Sequence, residues 1–294
     1  MNLVVGSNGL LGGMIARKLL AKGAPVRVMV RQPSSIEGAQ AVTGDLKDRG
    51  SLDAACRGVT TVITTANSAQ RGGADNVESV DLAGNRALID AAKKAGVRQF
   101  VFVSVAAADL SSPVPLFAAK AKTEAHLRDS GMAWTIVAPH IFMDVWFPIL
   151  IGSALSAGKP VSLVGGGKRR HSFIAADDVA EFATRAVGNP AAMRQRLMLG
   201  GPAAISWSDV VAKTGQILGR PVPVQSIAPG SPIPTLPPPL DGVIGGLAAG
   251  LEQQDVIIDT TEIARKFGVS LTSAETVLRG MFAAAGALAG DDPK

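Results

Sequence analysis

Glycine recurs at every third position near the start of the chain, at Gly6, Gly9 and Gly12. The glycines follow the apolar run 2–5 and open the stretch 10–22, whose apolar spacing predicts a helix. The first glycine permits a tight turn, the second lets the backbone approach a ligand, and the third lets helix and strand pack closely. Because a helix N-terminus offers free N–H groups to an anion, the motif predicts a pyrophosphate-binding loop. The predicted contacts are Gly6, Ser7, Asn8, Gly9, Leu10, Leu11 and Gly12.

The end of the second predicted strand, 26–30, separates NADP from NAD among dinucleotide-binding proteins. An acidic residue there would bind the ribose 2′-hydroxyl of NAD, whereas this chain has Arg31. A guanidinium matches a 2′-phosphate through parallel hydrogen bonds, and Ser34 or Ser35 could add another. The alternative is a solvated surface arginine. The sequence therefore favours NADP(H) as the cofactor.

Short apolar runs alternate with amphipathic stretches through the first 140 residues. Strands are predicted at 2–5, 26–30, 41–43, 61–64, 99–103 and 135–138, and helices at 10–22, 51–57, 75–95 and 117–130. This alternation is typical of a parallel sheet covered on both faces. We expect an α/β, Rossmann doubly wound parallel sheet over residues 1–140, with later contributions from about 172–200. Residues 141–294 should form mainly a smaller C-terminal substrate-binding part, in which the proline-rich stretch 221–239 is a linker or a lid.

Composition narrows the function classes. The chain has 294 residues, a net charge of +5, one cysteine and three histidines. A single cysteine excludes an internal disulfide and a Cys-rich zinc site, and favours a cytoplasmic setting. The basic residues are scattered, which argues against nucleic acid. The apolar segment 133–155 contains prolines and an aspartate, which argues against a membrane span. We expect no metal, and a homodimer is left open.

Further motifs resemble one family in their order along the chain. They are Gly44-Asp45-Leu46, Thr64-Thr65-Ala66-Asn67, Val103-Ser104-Val105, Lys120-x-x-x-Glu124, the segment 130–139 and Asp178-Val179-Ala180. The set resembles the atypical, NmrA-like branch of the short-chain dehydrogenase/reductase superfamily, which includes isoflavone-reductase-like and quinone-reductase-like proteins. The resemblance implies NAD(P) contacts at Arg31, Asp45, Leu46, Thr65, Ala66, Asn67, Ser104, Val105, Lys120, Pro139 and Ile141. It also implies that Lys120 bonds the nicotinamide ribose and acts in catalysis.

The classical branch of that superfamily uses a Tyr-x-x-x-Lys pair, in which tyrosine donates the proton. This chain contains no tyrosine, and Leu116 stands four residues before Lys120. Three proton sources remain: Lys120 with a pKa lowered by burial, a histidine (His140 or His171), or water reaching an electron-poor acceptor. The predicted substrate pocket is apolar and aromatic, with Phe117, Phe142, Met143, Trp146, Phe147 and His171.

The predicted function is NADPH-dependent reduction of a small apolar or aromatic carbonyl, quinone or conjugated alkene. The alternative is an NmrA-like sensor that binds NAD(P) without turnover, which the missing tyrosine also allows. A sugar-nucleotide epimerase is disfavoured, because that chemistry usually needs the tyrosine.

Overall fold

The computed structural model describes residues 1–32, 34, 36–69 and 72–286. Contacts divide the chain into two units. The first comprises Met1–His140, Ala176–Leu199 and Arg265–Val269. The second comprises Ile141–Ala175, Gly200–Ala264 and the described chain from Ser270 onward.

Strands and helices are numbered along the chain. The strands are β1 (Asn2–Val5), β2 (Val26–Val30), β3 (Gln40–Thr43), β4 (Thr61–Thr64), β5 (Gln99–Val103), β6 (Ala133–Pro139), β7 (Val161–Val164), β8 (Arg170–His171), β9 (Gln195–Leu199), β10 (Ile205–Ser206) and β11 (Val224–Ile227). The helices are α1 (Leu10–Ala21), α2 (Arg49–Cys56), α3 (Asn85–Lys94), α4 (Pro115–Asp129), α5 (Met143–Phe147), α6 (Ser153–Ser156), α7 (Ala176–Ala186), α8 (Trp207–Leu218), α9 (Leu240–Leu251), α10 (Thr261–Phe267) and α11 (Ala274–Ala284). Within the described ranges, every helix is too short or too polar to span a bilayer.

One seven-stranded sheet organises the first unit. Its strand order is β3-β2-β1-β4-β5-β6-β9, and every neighbouring pair is parallel. The chain progresses outward from β1 in one direction and then from β4 in the other. The carboxyl ends of β1 and β4 therefore form the switch point at which open α/β sheets bind ligands. The predicted Rossmann-type parallel sheet is confirmed.

The five central strands of this sheet, β2, β1, β4, β5 and β6, are buried on both faces, which explains why they read as continuous apolar runs. On β1, Leu3 and Val5 belong to a core cluster with side chains of α2, α3 and α4, whereas Val4 faces the other way and is equally buried. The only cysteine, Cys56, lies in that cluster. Burial, together with the nearby Asp53 carboxylate, raises the pKa of its thiol to about 11.

A cluster of charges joins α1 to α7. Glu181 accepts hydrogen bonds from Lys22 at 3.1 Å and from Arg185 at 2.5 Å, and Lys18 lies 3.4 Å from it. Burial by itself would raise the pKa of Glu181. The bonds from Arg185 and Lys22 outweigh that effect and lower the pKa to about 2.

The helix predicted at 75–95 is divided in two. A π-helical segment, Val77–Gly84, precedes α3, and Asn76 and Ser79 form a capping box at its start. Asn85, fully buried at the junction, donates from its side-chain amide to the Val80 carbonyl at 2.9 Å. Propensity does not distinguish a π-helix from an α-helix, so the sequence could not reveal this division. π-Helical turns are often found at functional sites.

The second unit has its own apolar core. The rings of Phe147, Phe173 and Trp207 meet there with centroids 4.8–5.9 Å apart. Within the proline-rich stretch predicted as a linker or lid, Val224–Ile227 forms β11 and pairs in parallel with β7. Prolines flank this strand but are absent from it, so its backbone N–H groups can join a two-stranded edge.

Candidate functional site

The glycine motif forms a tight turn between β1 and α1. Gly6 has a φ of +90°, and the N–H of Gly9 donates to the Gly6 carbonyl at 3.0 Å. A Cβ atom added at Gly12 would lie 2.3 Å from that same carbonyl oxygen. Any side chain at position 12 would therefore force the loop away from α1.

The start of α1 has donors to offer an anion. Among the residues that the structure describes, no side chain caps this helix, and its first turn contains no acidic residue. The Ser7 hydroxyl is buried, and within the described ranges it has no hydrogen-bond partner. A buried hydroxyl without a partner is costly, and a phosphate oxygen would satisfy it. The loop therefore fits the pyrophosphate of a dinucleotide on the evidence of its own backbone and hydroxyl.

A cleft of about 420 Å³ opens beyond the carboxyl ends of β1 to β4, entirely within the first unit. The predicted cofactor residues that line it are Gly6, Ser7, Asn8, Gly9, Arg31, Asp45, Leu46 and Ala66. Leu10, Leu11 and Gly12 form the first turn of α1, directly behind the loop. The structure also brings Met29, Gln32, Asp75 and Val80 to the cleft, which the sequence did not predict.

Three charged side chains meet at the end of the cleft beyond β2 and β3. Arg31 forms an ion pair with Asp75, and Lys47 Nζ lies 2.5 Å from the other carboxylate oxygen of Asp75. Asp45 accepts from the backbone N–H of Lys47 at 2.8 Å, as in an Asx turn, and so shapes the loop after β3. Ser35, a predicted phosphate contact, lies outside the described residues.

Hydrogen bonds from polar side chains fix the loop after β4. Thr64 Oγ1 donates to Asn85 Oδ1 at 3.1 Å, and the Asn85 amide donates to the Ala66 carbonyl at 3.3 Å. Thr65 Oγ1 lies 3.4 Å from the carbonyls of both Val5 and Gly6, which ties this loop to the glycine turn. The predicted cofactor residue Asn67 is exposed, and its Oδ1 accepts from the Ala69 N–H at 2.9 Å.

Lys120, the principal catalytic candidate, is buried. Its Nζ lies 3.3 Å from Asp81 Oδ1, 3.4 Å from the Val103 carbonyl and 5.0 Å from the centroid of the Phe102 ring. Burial lowers the pKa of Lys120, and the Asp81 carboxylate opposes that shift. Asp81 also accepts from the N–H and hydroxyl of Ser68, at 3.0 and 2.6 Å. Asp81 thus couples the lysine to the loop after β4.

A second buried carboxylate lies one helical turn beyond the lysine. Glu124 stands four residues after Lys120, but its shortest bonds go to other partners. Ser104 Oγ donates to it at 2.6 Å, Arg128 at 2.8 Å and Arg196 at 2.9 Å. The Ser104 side chain therefore points at Glu124. Arg196 also donates to the Val105 carbonyl at 2.9 Å, which fixes the loop after β5.

The predicted residues at the end of β6 and just after it fall in different units. Pro139 ends β6 in the first unit, where its carbonyl accepts from the Ala106 N–H at 2.9 Å. His140 follows with its N–H bonded to the Leu199 carbonyl at 2.9 Å. Ile141 begins the second unit and is 8% exposed, in that unit's core.

The predicted substrate residues also differ in position and exposure. Phe117 lies on α4 in the first unit and is half-buried. Met143 and Phe147 belong to the core of the second unit and have almost no exposed surface, whereas Phe142 and Trp146 keep part of theirs. In the same unit, His171 is fully buried, packs against Phe173, and has a pKa lowered by burial.

Sequence reasoning missed Asp75, Asp81, Lys47 and Arg196. Each acts through a partner that is distant in sequence, as with the 72-residue separation of Arg196 from Glu124. One signal was available for Asp81. It stands between Val80 and Leu82 in an apolar stretch, and a carboxylate on a buried helix face requires a partner.

Comparisons with known proteins also indicate a protein that binds NAD(P)H. The model of a family described as NAD(P)H-binding matches residues 6–190. The chain is 32% identical over 227 residues to an NAD(P)H azoreductase of Xenophilus azovorans, covering 76% of this chain and 75% of that protein. It is 39% identical over 139 residues to the photosystem II assembly factor Ycf39 of Cyanophora paradoxa, covering 46% and 43%. An NADPH-dependent quinone oxidoreductase of Escherichia coli, solved with NADPH, shares the fold with a TM-score of 0.79 and 22% identity, covering 96% of this chain and 100% of that one.

Proposed function

Because the chain belongs to the NAD(P)H-binding family of atypical, NmrA-like short-chain dehydrogenases/reductases, we propose that it is an NADPH-dependent reductase of small aromatic or conjugated acceptors. The bound cofactor would supply a hydride, and the chain's own residues would bind and orient the cofactor. The substrate class covers quinones, azo compounds, conjugated alkenes and apolar carbonyls.

The observation that carries the proposal is the fit of the cleft to a dinucleotide phosphate. Ser7 offers a buried hydroxyl, the start of α1 offers free N–H groups, and Arg31 stands at the ribose end. These donors are those that a pyrophosphate and a 2′-phosphate require. They support NADPH over NADH.

Lys120 is the residue that we propose for catalysis. Its ammonium sits at the carboxyl end of β5, held between Asp81 and the Val103 carbonyl. A fixed positive charge there would orient the nicotinamide ribose and stabilise negative charge that develops on the acceptor. Since the chain has no tyrosine, the acceptor would take its proton from Lys120, from His140 or from water.

Acceptors that form stabilised anions suit this site best. A reduced quinone or azo compound can take its proton from water, so it needs no dedicated acid on the protein. The relatives named azoreductase and quinone oxidoreductase support this class. The complete burial of His171 argues against that residue as the donor.

The first test combines binding and turnover. We expect tighter binding of NADPH than of NADH, and NADPH oxidation with at least one member of a panel of quinones, azo dyes, enones and aldehydes. Gly12→Ala should weaken NADPH binding at least tenfold, because its Cβ meets a backbone oxygen. Gly280→Ala, on α11 with no described atom within 4 Å of the added Cβ, is the matched control. Turnover with NADH alone would refute the NADPH preference.

Lys120→Met removes the ammonium and keeps the length of the side chain. We expect kcat to fall about ten- to a thousandfold if the lysine acts in the chemical step. Asp81→Asn/Lys120→Met removes both charges and serves as the folding control, because no buried charge is then left without its counter-charge. Unchanged kcat in the single variant would show that Lys120 is structural only.

A second candidate function is a cofactor sensor that binds NADPH without turning it over. Two observations favour it: the chain lacks tyrosine, and the Lys120 ammonium is already engaged by a buried carboxylate. Tight NADPH binding without oxidation across the whole panel would select this candidate over the reductase.

A further inference from the structure

Within the described residues, Asp75 pairs with two cations at the end of the cleft beyond β2 and β3. Arg31 pairs with one carboxylate oxygen and Lys47 with the other. The side chain of Asp75 is 12% exposed, against 50% for Arg31 and 37% for Lys47. The carboxylate is therefore the sheltered centre of this cluster, and the two cations reach it from the ends of β2 and β3.

The backbone fixes Asp75 in this position. Its N–H donates to the Gly72 carbonyl at 3.2 Å. The next residue, Asn76, caps the π-helical segment through Ser79, whose hydroxyl also donates to the Ala74 carbonyl at 2.7 Å. A short side chain on a hydrogen-bonded turn has little freedom to move aside.

The carboxylate is charged at neutral pH. Hydrogen bonds from Lys47 and Arg31, with their positive charges, lower the pKa of Asp75 despite some burial. Its two oxygens take the donors that two oxygens of a phosphate would take. A carboxylate and a phosphate that compete for the same two cations also repel one another.

We propose that Asp75 is an internal counter-ion at the 2′-phosphate subsite and that it sets how strongly the protein discriminates NADPH from NADH. The 2′-phosphate of NADPH must displace the Asp75 carboxylate from Arg31 and Lys47. NADH has a hydroxyl at that position, so it leaves both cations paired with Asp75. Asp75 thus limits the preference for NADPH and keeps the two cations ordered when no phosphate is bound. The inference rests on the proposed function only in its choice of cofactor.

Asp75→Asn tests the proposal through dissociation constants for both cofactors, measured by cofactor fluorescence. We expect NADPH to bind about three- to tenfold more tightly and NADH to change less than twofold. Asp53→Asn is the matched control, since Asp53 pairs with Lys94 on the exposed surface, outside the cleft lining. Thermal unfolding of each variant establishes that the fold is retained.

Two results would overturn the proposal. Unchanged affinity for both cofactors would mean that Asp75 does not compete with the phosphate. Weaker NADH binding with unchanged NADPH would identify Asp75 as a ligand of the ribose hydroxyls. A wild-type protein that binds NADH more tightly than NADPH would refute the NADPH preference. The Asp75 proposal is judged separately, by how Asp75→Asn shifts the ratio of the two dissociation constants.

Discussion

Two clusters in the first unit pair an aspartate with one or two basic side chains, and they differ in burial. Lys120 and Asp81 are 4% and 0% exposed, with 3.3 Å between their charged atoms. Arg31 and Lys47 meet Asp75 at the rim of the cleft, where half of the Arg31 side chain is exposed. A buried pair is expensive to desolvate and expensive to break, whereas an exposed pair is weak and exchangeable. The first arrangement suits a group that must stay in place, and the second suits a group that yields to a ligand.

The buried pair should show the largest effect. Asp81→Asn leaves the Lys120 ammonium buried without its carboxylate, and we expect the free energy of unfolding to fall by about 3–5 kcal/mol. Urea denaturation measures it. Asp81→Asn/Lys120→Met should recover most of that loss, because both charges are gone. A loss below about 1 kcal/mol in the single variant would remove the contrast between the clusters.

The exposed cluster should respond in binding rather than in stability. Lys47→Gln removes one of the two cations, and we expect NADPH to bind about three- to tenfold more weakly while NADH changes less than twofold. The same titration of Lys94→Gln, on the exposed face of α3, controls for net charge. Equal losses for both cofactors would mean that Lys47 does not serve the 2′-phosphate.

Salt should separate the clusters further. Exposed charges are screened at high ionic strength and buried charges much less. Raising the ionic strength from about 0.05 to 0.5 M should reduce the NADPH preference several-fold. The coupling energy between Asp81 and Lys120, from a double-mutant cycle, should stay the same. If the NADPH preference and this coupling energy fell in parallel, the buried pair would be more hydrated than its exposed fraction indicates.

The smallest effect concerns Glu181, which lies between the two extremes of burial at 19% exposed. Its folded pKa of about 2 is below the ordinary value, so its contribution is present above about pH 4.5 and is lost as the pH falls through about 2. Glu181→Gln should cost up to about 1 kcal/mol at pH 7, and the difference from wild type should disappear as the pH falls below about 2. A difference that is independent of pH would assign the effect to packing.

The sheet was predictable because burial on both faces leaves a plain signal. Runs such as Thr61–Thr64 and Gln99–Val103 are apolar and flanked by helical patterns, and both form strands as predicted. The glycine turn was predictable because only glycine fits at Gly12. The ends of strands were less predictable. β6 extends to Ala133 and Pro139, because its backbone pairs with β5 at the first end and with β9 at the second, past the most apolar residues.

The ion clusters were not predictable, for a physical reason. Asp75 and Asp81 meet their cations only after parallel strands bring the ends of β2, β3 and β5 together, and no periodicity records such a meeting. Both aspartates also belong to the segment that the sequence assigned to one continuous helix. The capped π-helical segment, which the side chain of Asn85 holds at its junction, sets the positions of both.

The burial of Cys56 offers an experimental advantage. Because the only thiol of the chain has a pKa of about 11 and lies in the core, it should not react with maleimides in the native state. Ala74→Cys, at an exposed position beside Asp75, would then carry a fluorophore alone. A change of its emission on adding NADPH, and not NADH, would report in real time the exchange of carboxylate for phosphate at the rim of the cleft.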